Sequence, residues 1–325
     1  MNFKRLIPVA ILIIGVVVLA FGVTAQDFPV AGKYFLVSHG GPGNPFWNVA
    51  IQGMEDACAF LGAECQWLGD ETFGFDNMPG YMDDALAAGA DGIGITAARP
   101  EAVEEGALRA LEQGIPVIAF NAPDTRENPI PYLFYIGGDE FLGGVAVAEQ
   151  MLAYAEETGF EIDKAICPIQ EPGHTGLEAR CAGFRSVMEE AGVAVENLAT
   201  DNDTSITSGI LTDYWLANPD LDAVFSLGPL PSDAYYQFLD ENGIDPSTIV
   251  HGTFDLSPAI IDAILDGRTL VAIDQQQYLQ GFETIMWLYL NHNFGLRPAN
   301  DILTGPGLVT ADNAEQVKAL SGTYR

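Results

Sequence analysis

Short apolar strands and amphipathic helices alternate along most of this chain of 325 residues. The first strand is "KYFLVS" (33–38), and segment 45–61 then places apolar residues three or four positions apart, on one helical face. Further strands are predicted at "ECQWLG", "DGIGIT", "IPVIAFN", "KAICPI", "ENLAT", "LDAVFSL", "TIVHGTF" and "LVAID". Such alternation produces parallel sheets covered by helices on both faces. About nine or ten strands favour an α/β fold with two doubly wound sheets over one.

The first 25 residues have the composition of a secretory signal peptide. Lys4 and Arg5 precede an uncharged apolar run over 6–23, and residues 23–25 form a small-residue cleavage pattern. An uncleaved membrane anchor is the alternative, because about 18 apolar residues can just span a bilayer. The cleavage-like ending favours the signal peptide, and we therefore predict a secreted, periplasmic protein.

Acidic residues greatly outnumber basic ones in this chain. It has 13 Lys and Arg residues against 45 Asp and Glu residues, a net charge of -32 at pH 7. Such a surface repels phosphate backbones, which excludes nucleic acid as a partner. Hydrophobic residues still form 48% of the chain, enough for a packed core, so the acidity does not indicate disorder.

Four cysteines lie in two sequence-local pairs, Cys58 with Cys65 and Cys167 with Cys181. In an oxidising compartment these pairs are predicted to form disulfides. Four buried thiols are the alternative. Neither a CxxC motif nor a Cys/His spacing typical of zinc is present, and we predict no metal and no cofactor.

Polar and aromatic residues gather near the carboxyl ends of the predicted strands, where open α/β sheets bind ligands. These candidate ligand-binding residues are His39, Asn44, Phe46, Trp47, Asn121, Arg180, Asp255 and Gln275. Amides, carboxylates and guanidinium groups pair hydroxyl groups in fixed patterns, and aromatic rings cover C–H surfaces. The set therefore suits a neutral polyhydroxylated ligand.

Several of these residues also have a purely structural explanation. Asn44 and Asp255 could cap helices, since short polar side chains at helix starts accept backbone hydrogen bonds. Phe46 and Trp47 could belong to the first core turn of a helix, and Arg180 could form a surface ion pair. The joint position at strand ends favours the ligand-binding interpretation.

A set of short motifs carries a family resemblance over essentially the whole chain after residue 25. The motifs are "NPFW", "GIPVIAFN", "GGDEFLGG", "ARCAGF", "LDAVF", "GTFD" and "AIDQQ", in this order. They resemble type I periplasmic sugar-binding proteins, the family of the ribose-binding protein. The resemblance implies two Rossmann-like lobes joined by three crossover strands, with the ligand enclosed between them. The implied N-terminal lobe is 26–137 plus 276–303, and the implied C-terminal lobe is 138–275 plus 304–325.

The same resemblance implies a function. The protein would capture a small neutral sugar or sugar alcohol by hinge closure, as a monomer, and deliver it to an ABC transporter permease with its ATPase. Ribose binders place Asp-Arg where this chain has Asn121-Ala122, and Asn-Asp where it has Gly228-Pro229. The segments "FDLSP", "AIDQQQYLQG" and "LTGPG" resemble a sub-branch that binds small sugars and sugar alcohols, which favours a pentose, tetritol or pentitol.

Besides transport, the sequence raises two other function classes. A sensory co-receptor, which presents a sugar-like signal to a chemoreceptor or sensor kinase, is the alternative to transport. An enzyme is not predicted, because GxSxG, HExxH and P-loop motifs are absent. "GIGITA" (92–97) matches a dinucleotide-binding pattern only formally, since it lies within a predicted strand.

Overall fold

A computed structural model describes residues 29–325 of the protein. The predicted signal peptide, residues 1–25, lies outside this range. Among residues 29–325, no helix combines the length and the apolar character that crossing a membrane requires.

The described residues form two six-stranded sheets with helices packed on them. The strands are β1 (Lys33–Val37), β2 (Glu64–Leu68), β3 (Gly92–Ile95), β4 (Val117–Phe120), β5 (Tyr135–Gly138), β6 (Lys164–Ile169), β7 (Ala194–Ala199), β8 (Ala223–Ser226), β9 (Val250–Phe254), β10 (Val271–Asp274), β11 (Ile302–Gly305) and β12 (Gly307–Val309). The helices are α1 (Pro45–Leu61), α2 (Met78–Ala87), α3 (Glu104–Glu112), α4 (Glu140–Thr158), α5 (Thr175–Glu190), α6 (Thr204–Ala217), α7 (Pro229–Asn242), α8 (Pro258–Leu265), α9 (Gln277–Phe294) and α10 (Ala314–Val317).

The first sheet has the strand order β11-β5-β4-β3-β1-β2, and the second has the order β12-β10-β9-β8-β6-β7. Neighbouring strands are parallel, except that β12 is antiparallel to β10. We call the first sheet with α1–α3 and α9 the N-terminal lobe, and the second sheet with α4–α8 and α10 the C-terminal lobe. The predicted fold of two doubly wound sheets is confirmed.

The chain passes between the two lobes three times: after β5, after β10, and between β11 and β12. All the strands predicted above are present, but β5, β11 and β12 were not predicted. These three are short and contain glycine, with the sequences "YIGG", "ILTG" and "GLV", so they lack the apolar run that marks a buried strand. The predicted residue bounds of the two lobes stay a prediction.

One pair of helices in each lobe packs with unusually close backbones, and glycine permits the approach. A Cβ atom at Gly144 of α4 would collide with the backbone of Arg180 in α5, and one at Gly183 with the backbone of α4. In the N-terminal lobe, Gly53 of α1 and Gly281 of α9 meet the facing backbone in the same way. The contact between α4 and α5 sets the position of Arg180, which faces the gap between the lobes.

Both predicted disulfides are present. Cys58 of α1 is bonded to Cys65 of β2, and Cys167 of β6 is bonded to Cys181 of α5. Each bridge joins a helix to a strand of the same lobe, and the second holds the helix that carries Arg180. The alternative of four buried thiols is therefore wrong for this structure.

We expect each disulfide to stabilise the protein by an amount that increases with the number of residues in the loop that it closes. Their sequence separations are 7 and 14 residues. In the chain-entropy treatment, Cys167→Ala/Cys181→Ala should lower the free energy of unfolding by about 3 kcal/mol, and Cys58→Ala/Cys65→Ala by about 2.5 kcal/mol. Urea unfolding followed by circular dichroism measures both. Intact mass with and without reductant is the control, and four alkylatable thiols in unreduced protein would contradict the bridges.

Candidate ligand-binding site

A cavity lies between the lobes, at the carboxyl ends of strands from both sheets. Its lining residues are His39, Asn44, Phe46, Trp47, Asn121, Gln170, Glu171, His174, Leu177, Arg180, Asn202, Leu227, Gly228, Pro229, Leu230, Pro231 and Asp255. All the residues predicted from the sequence are in this set except Gln275. Ligands of open α/β sheets bind at this edge, so the cavity is the candidate ligand-binding site.

The N-terminal wall of the cavity is built around the start of α1. Asn44 caps this helix, since its side-chain oxygen accepts a hydrogen bond of 3.1 Å from the backbone N–H of Phe46. The rings of Phe46 and Trp47 meet edge to face, with 4.5 Å between their centroids. Both rings are buried in the core of the lobe and also line the cavity. The structural and the ligand-binding interpretations of these residues are therefore compatible.

Two candidate residues end their strands in a left-handed backbone conformation. Asn121 follows β4 with φ of 64°, and Asp255 follows β9 with φ of 67°. Residues other than glycine seldom adopt such angles, and strained residues of this kind concentrate at functional sites. The Asn121 side chain donates to the Gln280 side-chain oxygen at 3.4 Å, and Tyr135 donates to the Asn121 carbonyl at 2.6 Å. These contacts hold Asn121 against the cavity.

Arg180 forms a buried ion pair rather than the surface pair that the sequence allowed. Its Nε donates to Glu140 Oε2 at 2.5 Å, and both side chains are about 6% exposed. Its Nη1 donates to the Leu227 carbonyl at 2.8 Å, and the guanidinium lies 3.8 Å from the centroid of the Phe254 ring. Burial raises the pKa of Glu140, although the neighbouring guanidinium opposes this shift. Arg180 is thus fixed on the floor of the cavity.

Gln275, predicted to contact the ligand, lies behind Asp255 and does not line the cavity. Its Nε2 donates to Asp255 Oδ1 at 2.7 Å, and Gln277 donates to the same oxygen at 3.1 Å. Burial raises the pKa of Asp255 to about 7, against the opposing effects of Arg180 and of the Gln275 hydrogen bond. Gln275 therefore orients a cavity residue from outside the cavity.

Four polar residues of the C-terminal wall were missed from the sequence: Gln170, Glu171, His174 and Asn202. The first three follow β6, where only Arg180 of the next helix was predicted, and Asn202 follows β7, for which no ligand-binding residue was predicted. Asn202 donates to Glu171 Oε1 at 3.0 Å, and burial raises the pKa of Glu171 to about 7. His174 reaches across the gap to His39 of the other lobe, with 3.2 Å between the Nε2 atoms.

Comparison with known proteins identifies the family. The family model for the periplasmic binding protein domain matches residues 35–293. The chain belongs to the periplasmic binding protein family. A curated relative, the xylose/arabinose-binding protein XylF of Sulfolobus acidocaldarius, is 31% identical over 285 residues, which cover 84% of this chain and 69% of the relative.

Solved structures of periplasmic binding proteins share the fold closely. The periplasmic sugar-binding protein of an ABC sugar transporter from Legionella pneumophila has a TM-score of 0.79 and 26% identity, over 84% of this chain and 99% of that one. A carbohydrate transporter protein from Acidothermus cellulolyticus 11B, in complex with myo-inositol, has a TM-score of 0.78 and 26% identity, over 90% and 98%. The resemblance to type I sugar-binding proteins is confirmed, and these relatives lend no support to a sensory co-receptor.

The ion pair under the cavity leads to a stability prediction. Arg180→Ala should lower the free energy of unfolding by about 3 kcal/mol or more, because Glu140 would remain as a buried charge without its partner. Arg180→Met combined with Glu140→Gln should recover most of this loss, since neither side chain is then charged. Urea unfolding at pH 7.5 measures all variants.

Arg185 offers a matched control on the same helix. It pairs with Glu189 at 3.7 Å and donates a hydrogen bond to Asn197 Oδ1, and its side chain is 36% exposed. Arg185→Ala should cost about 1 kcal/mol, because Glu189 and Asn197 both remain in contact with solvent. An Arg180→Ala variant as stable as Arg185→Ala would contradict the buried pair.

Proposed function

We propose that the protein captures a small neutral sugar or sugar alcohol, of the size of a pentose, tetritol or pentitol, and delivers it to an ABC transporter permease with its ATPase. One observation carries the proposal: the cavity combines amide, carboxylate and guanidinium groups with two aromatic rings, and both lobes contribute to it. Such groups pair sugar hydroxyls while the rings cover C–H faces. Relatives described with xylose, arabinose and myo-inositol support a neutral polyhydroxylated ligand.

The charges of the cavity favour a neutral ligand over an anion. The guanidinium of Arg180 is already paired with the carboxylate of Glu140. The pKa of Asp255 and that of Glu171 are raised to about 7 by burial, so both carboxyl groups are partly protonated near pH 7 and offer an anion no positive partner. The net charge of -32 on the whole chain also repels anions.

The proposed mechanism is closure of the two lobes about the three crossings of the chain. A ligand that touches both walls stabilises the closed state over the open one, because only the closed state provides both sets of contacts. We propose that the moving units are 26–137 plus 276–303 and 138–275 plus 304–325. In this function the protein acts outside the cytoplasm as a monomer, and no covalent bond is broken.

A ligand screen tests the proposed class. D-xylose, L-arabinose, D-arabinose, D-ribose, erythritol, xylitol and myo-inositol are added separately, with amino acids and nucleosides as the comparison set. At least one sugar or polyol should raise the melting temperature, because ligand that binds only the folded protein stabilises it by mass action. Stabilisation by amino acids or nucleosides alone would reject the proposal.

The cavity carboxylate provides a second test. Asp255→Ala should weaken binding of the best sugar by about 2 kcal/mol or more, since ligand hydroxyls and Gln275 would lose their buried partner. Asp266→Ala is the matched control, because this carboxylate is 68% exposed. Calorimetric titration measures both variants, and equal affinities would remove Asp255 from the binding site.

A further inference from the structure

Two histidines from different lobes form a direct contact at the cavity. His39 follows β1 in the N-terminal lobe, and His174 directly precedes α5 in the C-terminal lobe. Their Nε2 atoms are 3.2 Å apart, and the residues are 4% and 5% exposed. Beside them, the backbone N–H of Thr175 donates to the Ala98 carbonyl at 3.2 Å, again from one lobe to the other. Both contacts join one lobe to the other, so separation of the lobes would break them.

The position of the proton on His174 follows from its role as the cap of α5. Its Nδ1 accepts hydrogen bonds from the backbone N–H groups of Gly176 at 3.0 Å and Leu177 at 3.3 Å. A ring nitrogen that accepts hydrogen bonds carries no proton, so the proton of a neutral ring is on the other nitrogen. His174 therefore presents an Nε2–H group, which donates to Nε2 of His39.

The position of the proton on His39 follows from the same contact. Its Nε2 is the acceptor, so its proton is on Nδ1, which lies 2.7 Å from Thr96 Oγ1. An additional proton has no favourable position in this chain of hydrogen bonds. On His39 Nε2 it would face the Nε2–H group of His174, and on His174 Nδ1 it would face the N–H groups of α5.

A metal ion is the alternative occupant of this cluster. His39, Glu171 and His174 offer three ligand atoms within 4.8 Å of one another, and all three residues are buried. A metal would need the lone pair of His174 Nε2, but this nitrogen carries the proton because the backbone of α5 occupies Nδ1. Metal-bound histidines instead donate a hydrogen bond from the second ring nitrogen. The geometry therefore favours a hydrogen bond between the two rings.

The charged groups around the histidine pair have opposing effects on proton binding by the closed form. Burial and the guanidinium of Arg180 lower the pKa of His39 to about 3. Burial also lowers the pKa of His174, with contributions from His39, Arg180 and Arg99. Glu171 faces His174 at 3.9 Å between Oε2 and Nε2, and burial raises the pKa of this carboxyl to about 7. Glu171 and Asp255 thus gain protons in the closed form under mildly acidic conditions, which opposes the effect of the histidines.

We infer that the lobes close only when His39 and His174 are both neutral, so that acidification weakens ligand binding through this histidine pair. The inference rests on the proposed function, because it concerns closure around the ligand. Opening admits water to the Nε2 atom of each ring, and an imidazole in water has a pKa of about 6.5. Below that pH the open form binds protons that the closed form excludes, and each ring then lowers the affinity roughly tenfold per pH unit. The stabilisation of the closed form by the neutral histidine pair is complete above pH 6.5 and is lost as the pH falls below this value.

The test compares pH dependences, so that the opposing carboxylates cancel. Binding of D-xylose, or of another sugar that binds in the screen, is measured by calorimetry at pH 7.5 and 5.5. The double variant His39→Gln/His174→Asn removes both imidazoles, and asparagine can still cap α5. The ratio of Kd at pH 5.5 to Kd at pH 7.5 should be larger in the wild type than in this variant, by roughly tenfold for each ring. A residue with only a structural role would leave this ratio unchanged.

His292→Gln is the matched control. His292 lies on α9 outside the cavity, 3.9 Å from Asp91, and the variant should keep the wild-type ratio of Kd values. The same ratio in wild type and double variant would overturn the inference. Stabilisation of the wild type by ZnCl₂, lost in the double variant, would also overturn it, because a metal would then occupy the cluster.

A second experiment distinguishes failure of the histidine inference from failure of the proposed function. If no sugar or polyol binds at pH 7.5, the proposed ligand class is wrong, and closure is followed by X-ray scattering of the ligand-free protein. A radius of gyration that increases from pH 7.5 to 5.5 in the wild type but not in the double variant supports the histidine pair. The same behaviour in both proteins overturns it.

Discussion

The buried ion pair between Arg180 and Glu140 connects the elements of the C-terminal lobe that meet at the cavity. Glu140 begins α4, and Arg180 lies on α5, and the guanidinium also reaches the carbonyl after β8 and the ring of Phe254 on β9. Glycines allow α4 and α5 to approach closely enough for the pair to form, and the bridge between Cys167 and Cys181 ties α5 to its sheet. Packing, covalent linkage and electrostatics thus converge on one side chain.

Burial of this pair also determines what the cavity can accept. An unpaired guanidinium would attract anions, but Glu140 neutralises it, and the remaining carboxyl groups of the cavity have raised pKa values. The cavity therefore offers many hydrogen-bonding groups with little excess charge. This is the property that a carrier of neutral polyhydroxylated ligands requires, and the acidic outer surface of the protein is separate from it.

The sequence located most of the site because parallel strands bring their carboxyl ends to one edge of a sheet. Asn121 and Asp255 were found in this way, and Asn44, Phe46 and Trp47 were found at the helix that follows β1. A position at a strand end does not determine in which direction the side chain points. Gln275 occupies a strand end but turns away from the cavity to support Asp255, as backbone and side-chain geometry dictate. Gln170 and Glu171 follow β6, where only Arg180 of the next helix was predicted, and Asn202 follows β7, for which no ligand-binding residue was predicted.

Local patterns alone determined the α/β class, the two sheets and the pairing of neighbouring cysteines. The spacing of apolar residues and the short separation of the paired cysteines are properties of the chain itself. Only the tertiary structure decided that Arg180 is buried against Glu140 and that His39 contacts His174, 135 residues further along the chain. The positions of the histidine protons also follow from groups on separate elements. Burial and hydrogen bonding between distant residues arise from packing, and no periodicity in the sequence encodes them.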